Sequence, residues 1–237
     1  MLRQWQINGR NNMSDAILEI PKKVRKVKQR VVKTISISME NTKIGKIPSF
    51  SLPALDSCPG KTTWCEKACY AAKIERVYRC AKKAYDLNFE LVKGTDFVAT
   101  INEELTKLVK KGITTFRLHV SGDFYDVRYI YNWLKIVKAN PTITFFGYTH
   151  SWSVLNLLPH LGILRAQPNV ILFASTDEST VGNPPKGWRI AHAGDSSTNP
   201  HPKMIKCLEQ IGKVKDCAAC KICFNHASTI NIQFKVH

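Results

Sequence analysis

The sequence predicts an α/β fold with a mainly parallel sheet or barrel, and three observations lead to that prediction. From residue 115 onwards, short segments rich in β-branched and aromatic residues alternate with helix-like segments, as in folds built from βα units. The chain has 237 residues, of which 44% are hydrophobic, so it is long enough for one sizeable core. Its longest apolar runs are far shorter than the roughly 18 residues of a membrane span.

Six segments are predicted strands, because apolar and polar residues alternate in them or form short apolar runs. They are residues 34–38, 115–120, 142–148, 169–175, 188–193 and 229–234. Runs of helix-forming residues that stop at Gly, Pro or a polar turn predict helices at residues 66–93, 96–111, 127–139, 154–166 and 203–211. Six strands are fewer than the eight of a closed (β/α)8 barrel.

These elements divide the chain into three segments. Residues 1–33 are a basic extension, residues 34–200 form the α/β part, and residues 201–237 combine a cysteine-rich segment with the last strand. The first thirteen residues are polar and lack the apolar run of a secretory signal. We therefore expect a cytoplasmic protein without a membrane partner.

Positive charge is the first unusual feature of the composition. Lys and Arg number 35 against 18 Asp and Glu, which gives a formal net charge of +17. Such an excess indicates an anionic partner, most often nucleic acid. Lys or Arg occupies seven of the twelve positions in residues 22–33, and five lysines lie within residues 203–221. Each stretch is either a solvated basic face or a surface that contacts phosphates.

Polar residues stand at the ends of four predicted strands, where parallel α/β folds place their ligands. They include Ser121, Gly122, Asp123, Thr149, Ser175, Thr176, Asp177, His192 and Asp195. Each group also has an ordinary structural explanation, because Ser, Thr and Asp cap helices and fill turns. Four groups on one face favour a binding site, where Gly122 would let the backbone approach a ligand.

Cysteine content is the second unusual feature, with eight residues in the chain. Cytoplasmic thiols stay reduced, so metal or iron–sulfur ligation is favoured over disulfides. The first group, Cys58, Cys65 and Cys69, lies in CPGKTTWCEKACYA on a loop that leads into a helix. Three soft thiolates suit a [4Fe–4S] cluster with one open iron or, with a fourth ligand, a structural zinc ion. Cys80 would lie about 16 Å beyond Cys69 on a continuous helix, so we predict that it is a buried apolar residue.

The second group of cysteines is a complete set of four. It comprises Cys207, Cys217, Cys220 and Cys223, the last three within CAACKIC. Four thiolates suit either a second [4Fe–4S] cluster or a structural zinc ion. His226 lies three residues after Cys223 and is an alternative ligand, although a surface histidine is the simpler interpretation.

Four motifs together resemble a known family over roughly residues 40–225. They are CPGKTTWCEKACYA, FRLHVSGDFYD, FFGYTHS and CAACKICF. In this order they resemble the phage family catalogued as gene product 88, which is similar in turn to phage radical S-adenosylmethionine (SAM) proteins. The intervals between the first three cysteines are six and three residues, whereas the usual radical SAM motif has three and two.

The resemblance implies a partial (β/α)6 TIM-like barrel of the radical SAM type with a C-terminal cysteine-rich metal-binding segment. A [4Fe–4S] cluster on Cys58, Cys65 and Cys69 would bind SAM at its open iron. Ser121, Gly122 and Asp123 would contact the SAM amino group, and Tyr70 would contact adenine. Thr149, Ser175 and His192 would reach the ribose, the carboxylate or the substrate.

The function expected from these features is radical SAM-like catalysis on nucleic acid or a modified nucleotide. A reductase or a flavodoxin-type electron donor would be needed, and a phage-encoded protein would act in the host cytoplasm. Trp64, Trp152 and Trp188 are candidates for stacking on bases. The alternatives are a non-catalytic iron–sulfur or zinc protein that binds nucleic acid, and a basic interaction protein stapled by zinc. A P-loop, a Rossmann fingerprint, a nucleophile elbow and an HExxH motif are all absent from the sequence.

Overall fold

One sheet organises the computed structural model, which describes residues 34–194, 201 and 203–236. Its strands are β1 (Ile37–Ser38), β2 (Ser49–Phe50), β3 (Thr115–Leu118), β4 (Thr144–Thr149), β5 (Val170–Asp177), β6 (Arg189–Ala193), β7 (Met204–Lys206) and β8 (Asn231–Phe234). The spatial order is β1-β2-β3-β4-β5-β6-β8-β7, and every neighbouring pair except β1–β2 is parallel. The prediction of an α/β fold with a mainly parallel sheet is therefore confirmed.

All six predicted strands are present, and the sheet has two further ones. The short strand β2 lies in the loop before the first cysteine and pairs with β1 and β3. The predicted helix at residues 203–211 is wrong, because Met204–Lys206 pairs with β8 as strand β7. Lys203, just before this strand, has a positive φ of 54°, which does not continue into a right-handed helix.

Helices connect the parallel strands. They are α1 (Thr63–Ala68), α2 (Tyr70–Val77), α3 (Arg79–Lys93), α4 (Phe97–Lys110), α5 (Val127–Ala139), α6 (Leu158–Arg165) and α7 (Cys217–Cys220). Helix α5 matches its predicted range, and α4 lies within one residue of its predicted ends. In the part of the chain that the structure describes, no helix combines the length and the apolar character needed to cross a membrane.

The predicted single helix at residues 66–93 is wrong, because it is three helices joined at Cys69 and Tyr78. Cys69 (ψ 107°) and Tyr78 (ψ 91°) both leave the helical region of the backbone. Cys69 and Cys80 therefore do not share the straight helix on which the prediction for Cys80 depended. Cys80 is also exposed rather than buried, so that prediction is wrong as well.

Two clusters of apolar side chains cover the two faces of the sheet, and strand β4 separates them by simple alternation. Phe145 belongs to the cluster under helices α3 to α6, where Trp133 is fully buried among aromatic rings. Phe146 belongs to the opposite cluster, which includes Cys207 and is packed against by Cys217 and Cys223. The cysteine-rich segment thus covers the face of the sheet that the helices leave open.

Candidate functional site

The loop that carries Cys58 lies against the carboxyl end of β3. The backbone N–H of Leu52 donates to the carbonyl of Ser121 at 2.9 Å. Gly122 has a φ of +78°, and a Cβ there would stand 2.6 Å from Leu52 Cβ and 2.5 Å from Ser57 Oγ. The close approach that this glycine permits is therefore made by the cysteine loop, whereas the sequence predicted a ligand in that place.

The junction at Cys69 sets the directions of two of the three thiols. Thr62 caps α1, and its Oγ1 accepts a hydrogen bond from the N–H of Cys65 at 2.9 Å. Cys69 ends α1 and caps α2, because its Sγ accepts from the N–H of Ala72 at 3.4 Å. The helix break therefore presents the Cys69 sulfur to the backbone amides that begin α2, which favours its thiolate form.

The thiols of the first group interact with one another. Cys65 donates a hydrogen bond to Cys69, which lowers the pKa of Cys69 to about 6 and raises the pKa of Cys65. Burial, followed by the charge of Asp123, raises the pKa of Cys58 to about 12. Cys65 and Cys69 are thus hydrogen-bonded neighbours, and Cys58 lies near enough for the charge of Cys69 to raise its pKa.

The chemistry of this donor set fits a soft metal centre. Three thiols on one loop and one helix junction are ligands that select zinc or iron–sulfur clusters. Among the described residues, no three or more His, Cys, Asp or Glu side chains already form a group that could hold a metal ion. Binding would therefore require the thiols to lose their protons and close around the metal.

Asp177, at the end of β5, links the start of α1 to the sheet through a hydrogen bond. Its Oδ2 accepts a hydrogen bond from Thr62 Oγ1 at 2.6 Å, and Nε2 of His150 lies 3.8 Å from the same oxygen. Asp177 is buried, and burial lowers the pKa of His150. The strand-end carboxylate thus fixes the helix that carries Cys65.

Asp123 joins the ends of β3 and β4. Its Oδ1 accepts from the N–H of Phe124 at 2.7 Å, and its Oδ2 accepts from the N–H groups of His150 at 2.8 Å and Ser151 at 3.2 Å. Thr149 Oγ1 also accepts from the N–H of Ser151, at 2.9 Å. Burial raises the pKa of Asp123, and these hydrogen bonds oppose that shift. Two predicted SAM contacts, Asp123 and Thr149, therefore already hold the strand ends together.

Glu75 is a site residue that the sequence analysis missed. It lies on α2, is 9% exposed, and its Oε1 accepts from Ser121 Oγ at 2.9 Å and from the N–H of Ala54 at 2.7 Å. It also lines a cleft beside Cys69. Glu75 stands among charged residues in the sequence, so hydrophobic periodicity gives no sign that it is buried.

The remaining predicted contacts lie around the same strand ends. Tyr70 donates from its hydroxyl to the carbonyl of Val120 at 2.6 Å, which holds its ring beside the end of β3. The carbonyl of Ser175 accepts from Trp152 Nε1 at 2.7 Å. His192 Nδ1 lies 3.0 Å from Thr176 Oγ1, one strand further along the sheet. Ser121 and Asp177 form hydrogen bonds with the segment that carries the first three cysteines. Ser175 instead contacts Trp152 in the turn after β4, and His192 contacts Thr176 on β5.

A cleft of about 450 Å³ opens beside the first cysteine group. It is lined by Leu55, Glu66, Lys67, Cys69, Ala72, Glu75, Arg76 and Lys82. Its volume lies within the range of small-ligand sites, about 300–1,000 Å³. A molecule in this cleft would meet cationic side chains at its rim and Cys69 in its wall.

We expect Gly60→Ala to detach the cysteine loop, since a Cβ at residue 60 would overlap the carbonyl oxygen of His150 and stand 2.9 Å from the N–H nitrogen of Ser151. Overpacking against backbone should lower the free energy of unfolding by about 2–3 kcal/mol. Gly162→Ala is the matched control: it lies in α6 with nothing within 4 Å, so it should stabilise by about 0.5–1 kcal/mol. Urea denaturation of both variants measures this, and equal stabilities would contradict the close approach at Gly60.

The second cysteine group lines one small, partly open cavity. Cys207, Cys217, Cys220 and Cys223 all line a cavity of about 20 Å³ whose other walls include Tyr148 and Phe224. Burial raises the pKa of Cys217 to about 12 and also raises that of Cys223, while Arg117 opposes both shifts. The Arg117 guanidinium lies 4.1 Å from the centre of the Tyr148 ring, on the face that holds these thiols.

The predicted phosphate-contacting stretch and the predicted base-stacking tryptophans lie away from this site or outside the described residues. Residues 22–33 and Asp195 lie outside the described residues. Trp152 is 5% exposed, and Trp188 packs against the main core. Trp152 therefore offers no free face for a base, whereas Trp188 is only partly buried.

Known phage proteins are similar to this chain over most of its length. The family model described as Gene product 88 matches residues 21–226. The chain is 29% identical to the Gene 88 protein of Mycobacterium phage L5 over 209 residues, which cover 78% of this chain and 86% of that protein. It is 27% identical to the Gene 88 protein of Mycobacterium phage D29 over 215 residues, which cover 80% and 88%. No solved structure matches the chain. These names are gene designations, so a function has to be argued from the residues.

Proposed function

The chain belongs to the gene product 88 family, and from that premise we propose that it is an iron–sulfur protein with a [4Fe–4S] cluster on Cys58, Cys65 and Cys69. The observation that carries the proposal is the helix break at Cys69, which turns a third thiol toward the Cys65 thiol. Three thiolates leave one iron without a protein ligand. We further propose that SAM binds there, within a partial barrel of the radical SAM type.

The protein's part in that chemistry would be to position SAM and the substrate and to exclude water. A reduced cluster of this kind supplies an electron for the cleavage of SAM. Glu75 is a buried acceptor beside Cys69, and only its Oε1 is occupied in the hydrogen bonds described above. It would therefore accept from an amino group near the open iron. Tyr70 lies next to Cys69 and would offer its ring to adenine.

We propose that the second group holds a single zinc ion. A cavity of about 20 Å³ has room for roughly one water-sized sphere, which suits one ion at Zn–S distances of about 2.3 Å. A cluster of four irons and four sulfides is much larger. The site lies within the apolar cluster that covers one face of the sheet, so its role would be to hold residues 207–224 against that face.

Anaerobic purification with iron, sulfide and zinc quantification tests both assignments. We expect about four irons and one zinc per chain. The reduced protein should then release 5′-deoxyadenosine from SAM. Zinc without iron would overturn the cluster, about eight irons would overturn the zinc site, and a loaded cluster that leaves SAM intact would overturn SAM cleavage.

A second candidate function is a metal-stabilised nucleic-acid-binding protein without catalysis. One observation favours it: the side chains of Ser121, Asp123 and Thr149 are all hydrogen-bonded within the protein, where radical SAM enzymes would use this position for SAM. The net charge of +17 agrees with either function. Release of 5′-deoxyadenosine separates the two, since only the catalytic function produces it.

A further inference from the structure

The corner between α2 and α3 combines cationic and apolar side chains on an exposed surface. We define this α2–α3 corner as residues 73–83, of which only Glu75 and Ala81 are not exposed. Five of its eleven residues are Lys or Arg, and its one acid, Glu75, is buried. Val77 is 70% exposed and Tyr78 is 55% exposed. Large apolar side chains at such exposure, set between cations, mark an interaction surface.

The helix break at Tyr78 produces this exposure. Tyr78 is extended (φ −111°, ψ 91°) between two helices, and its N–H donates to the carbonyl of Ile74 at 2.7 Å. Its side chain therefore projects from a bend instead of packing along a continuous helix.

Three of the five cations in the α2–α3 corner are available to a partner. Lys82 pairs with Asp86 at 2.9 Å. Arg76, Arg79 and Lys83 form no ion pair with any residue that the structure describes. Arg76 also lines the cleft that reaches Cys69. The unpaired positive charge thus runs from the corner to the rim of the proposed metal site.

We propose that the α2–α3 corner binds single-stranded nucleic acid and directs one nucleotide into the cleft beside Cys69. Guanidinium and ammonium groups would contact successive phosphates, and the exposed face of Tyr78 would stack on a base. Stacking on an aromatic side chain requires an unpaired base, which favours a single strand over a duplex. Delivery of a nucleotide to the cleft beside Cys69 rests on the proposed function, because it assumes that the metal site acts on nucleic acid.

Binding of a labelled 20-nucleotide oligo-dT by the full chain, followed by fluorescence anisotropy over a salt series, tests the inference. Combining Arg76→Glu, Arg79→Glu and Lys83→Glu should weaken binding by at least about 100-fold. It should also lower the slope of log K against log salt by about 2, because each phosphate that a cation neutralises on a single strand contributes about 0.7 to that slope. Tyr78→Ala should weaken binding by roughly 5- to 100-fold, whereas Tyr78→Phe should bind as the wild type does.

The matched control reverses the charge of three exposed lysines at the other end of the parallel strands. Lys110 and Lys111 precede β3, and Lys138 precedes β4. Changing all three to Glu alters the net charge equally and should weaken binding by less than about 5-fold. Equal losses of affinity in the two triple variants would overturn the inference, as would equal affinity for a duplex of the same length.

Two further measurements keep this inference separate from the proposed function. If the wild type contains no iron but the corner variants still bind oligo-dT more weakly, the proposed cluster is refuted and binding of a single strand at the corner is supported. If the corner variants bind oligo-dT with unchanged affinity but flavodoxin reduces their iron more slowly, the corner binds an acidic electron donor and the inference is overturned.

Discussion

Cys65→Ser is expected to remove nearly all iron from the protein while leaving its zinc in place. A serine hydroxyl keeps its proton at neutral pH and is a poor ligand for iron, so the open cluster would lose one of three ligands. Cys65 also donates the hydrogen bond that lowers the pKa of Cys69. A serine hydroxyl can still donate that hydrogen bond, so the loss of iron would follow from the missing thiolate ligand alone. Iron should fall from about four to below about one per chain.

Two companion variants make the cysteine experiment specific. Cys80→Ser should keep its iron, because Cys80 is exposed on α3 beyond the break at Tyr78. Cys220→Ser should show the opposite pattern to Cys65→Ser, with zinc removed and iron kept. Metal analysis together with the visible absorbance of the cluster measures all three. Iron retained in Cys65→Ser, or depleted equally in Cys80→Ser, would refute the assignment of the first group.

Asp123→Ala is expected to be among the most destabilising single substitutions in the sheet. Asp123 is only 4% exposed, and its removal would leave the N–H groups of Phe124 and His150 without their acceptor. The N–H of Ser151 would keep Thr149 Oγ1 as its one acceptor. Each buried group left unpaired costs about 1–3 kcal/mol, so we expect the free energy of unfolding to fall by about 3–5 kcal/mol in total. For a domain of this size that corresponds to a melting temperature lower by roughly 10 °C.

The Asp123 experiment also separates a structural role from ligand binding. Asp123→Asn keeps one carbonyl acceptor and should lose about half as much stability. Asp86→Ala removes an exposed carboxylate paired with Lys82 and should change stability by less than about 0.5 kcal/mol. If Asp123→Asn were as stable as the wild type and only SAM-dependent signals changed, Asp123 would be a ligand contact instead of a strand tie.

The sequence predicts most of the sheet because alternation and short apolar runs are local signals. The six predicted segments depend on side chains such as Phe145 and Phe146, which divide between the two faces of the sheet. Strand β2 has only two residues and no period to detect, and it exists through pairing with Arg117 and Leu118. Strand β7 lies in a segment of mixed propensity and is held by β8, a partner some 25 residues later in the chain.

The candidate site was harder to predict because its geometry depends on breaks without local markers. Neither Cys69 nor Tyr78 is accompanied by Gly or Pro, so residues 66–93 predict one helix. The first break depends on the cap that Cys69 Sγ makes with Ala72, which spacing cannot reveal. The cysteines themselves are visible in the sequence, whereas the buried carboxylate of Glu75 follows only from the fold.

The strand order β6-β8-β7 has a consequence for how the chain is made. Strand β7 has β8 as its one neighbour in the described sheet, and β8 begins some 25 residues after β7 ends. During synthesis, which proceeds from the amino end, β7 therefore emerges without a partner. All four cysteines of the second group lie between these two strands in the chain. Their cavity is also lined by Ile232 and Phe234 of β8, so it is complete only after β8 has been synthesised. The proposed zinc centre would therefore acquire its metal no earlier than that point.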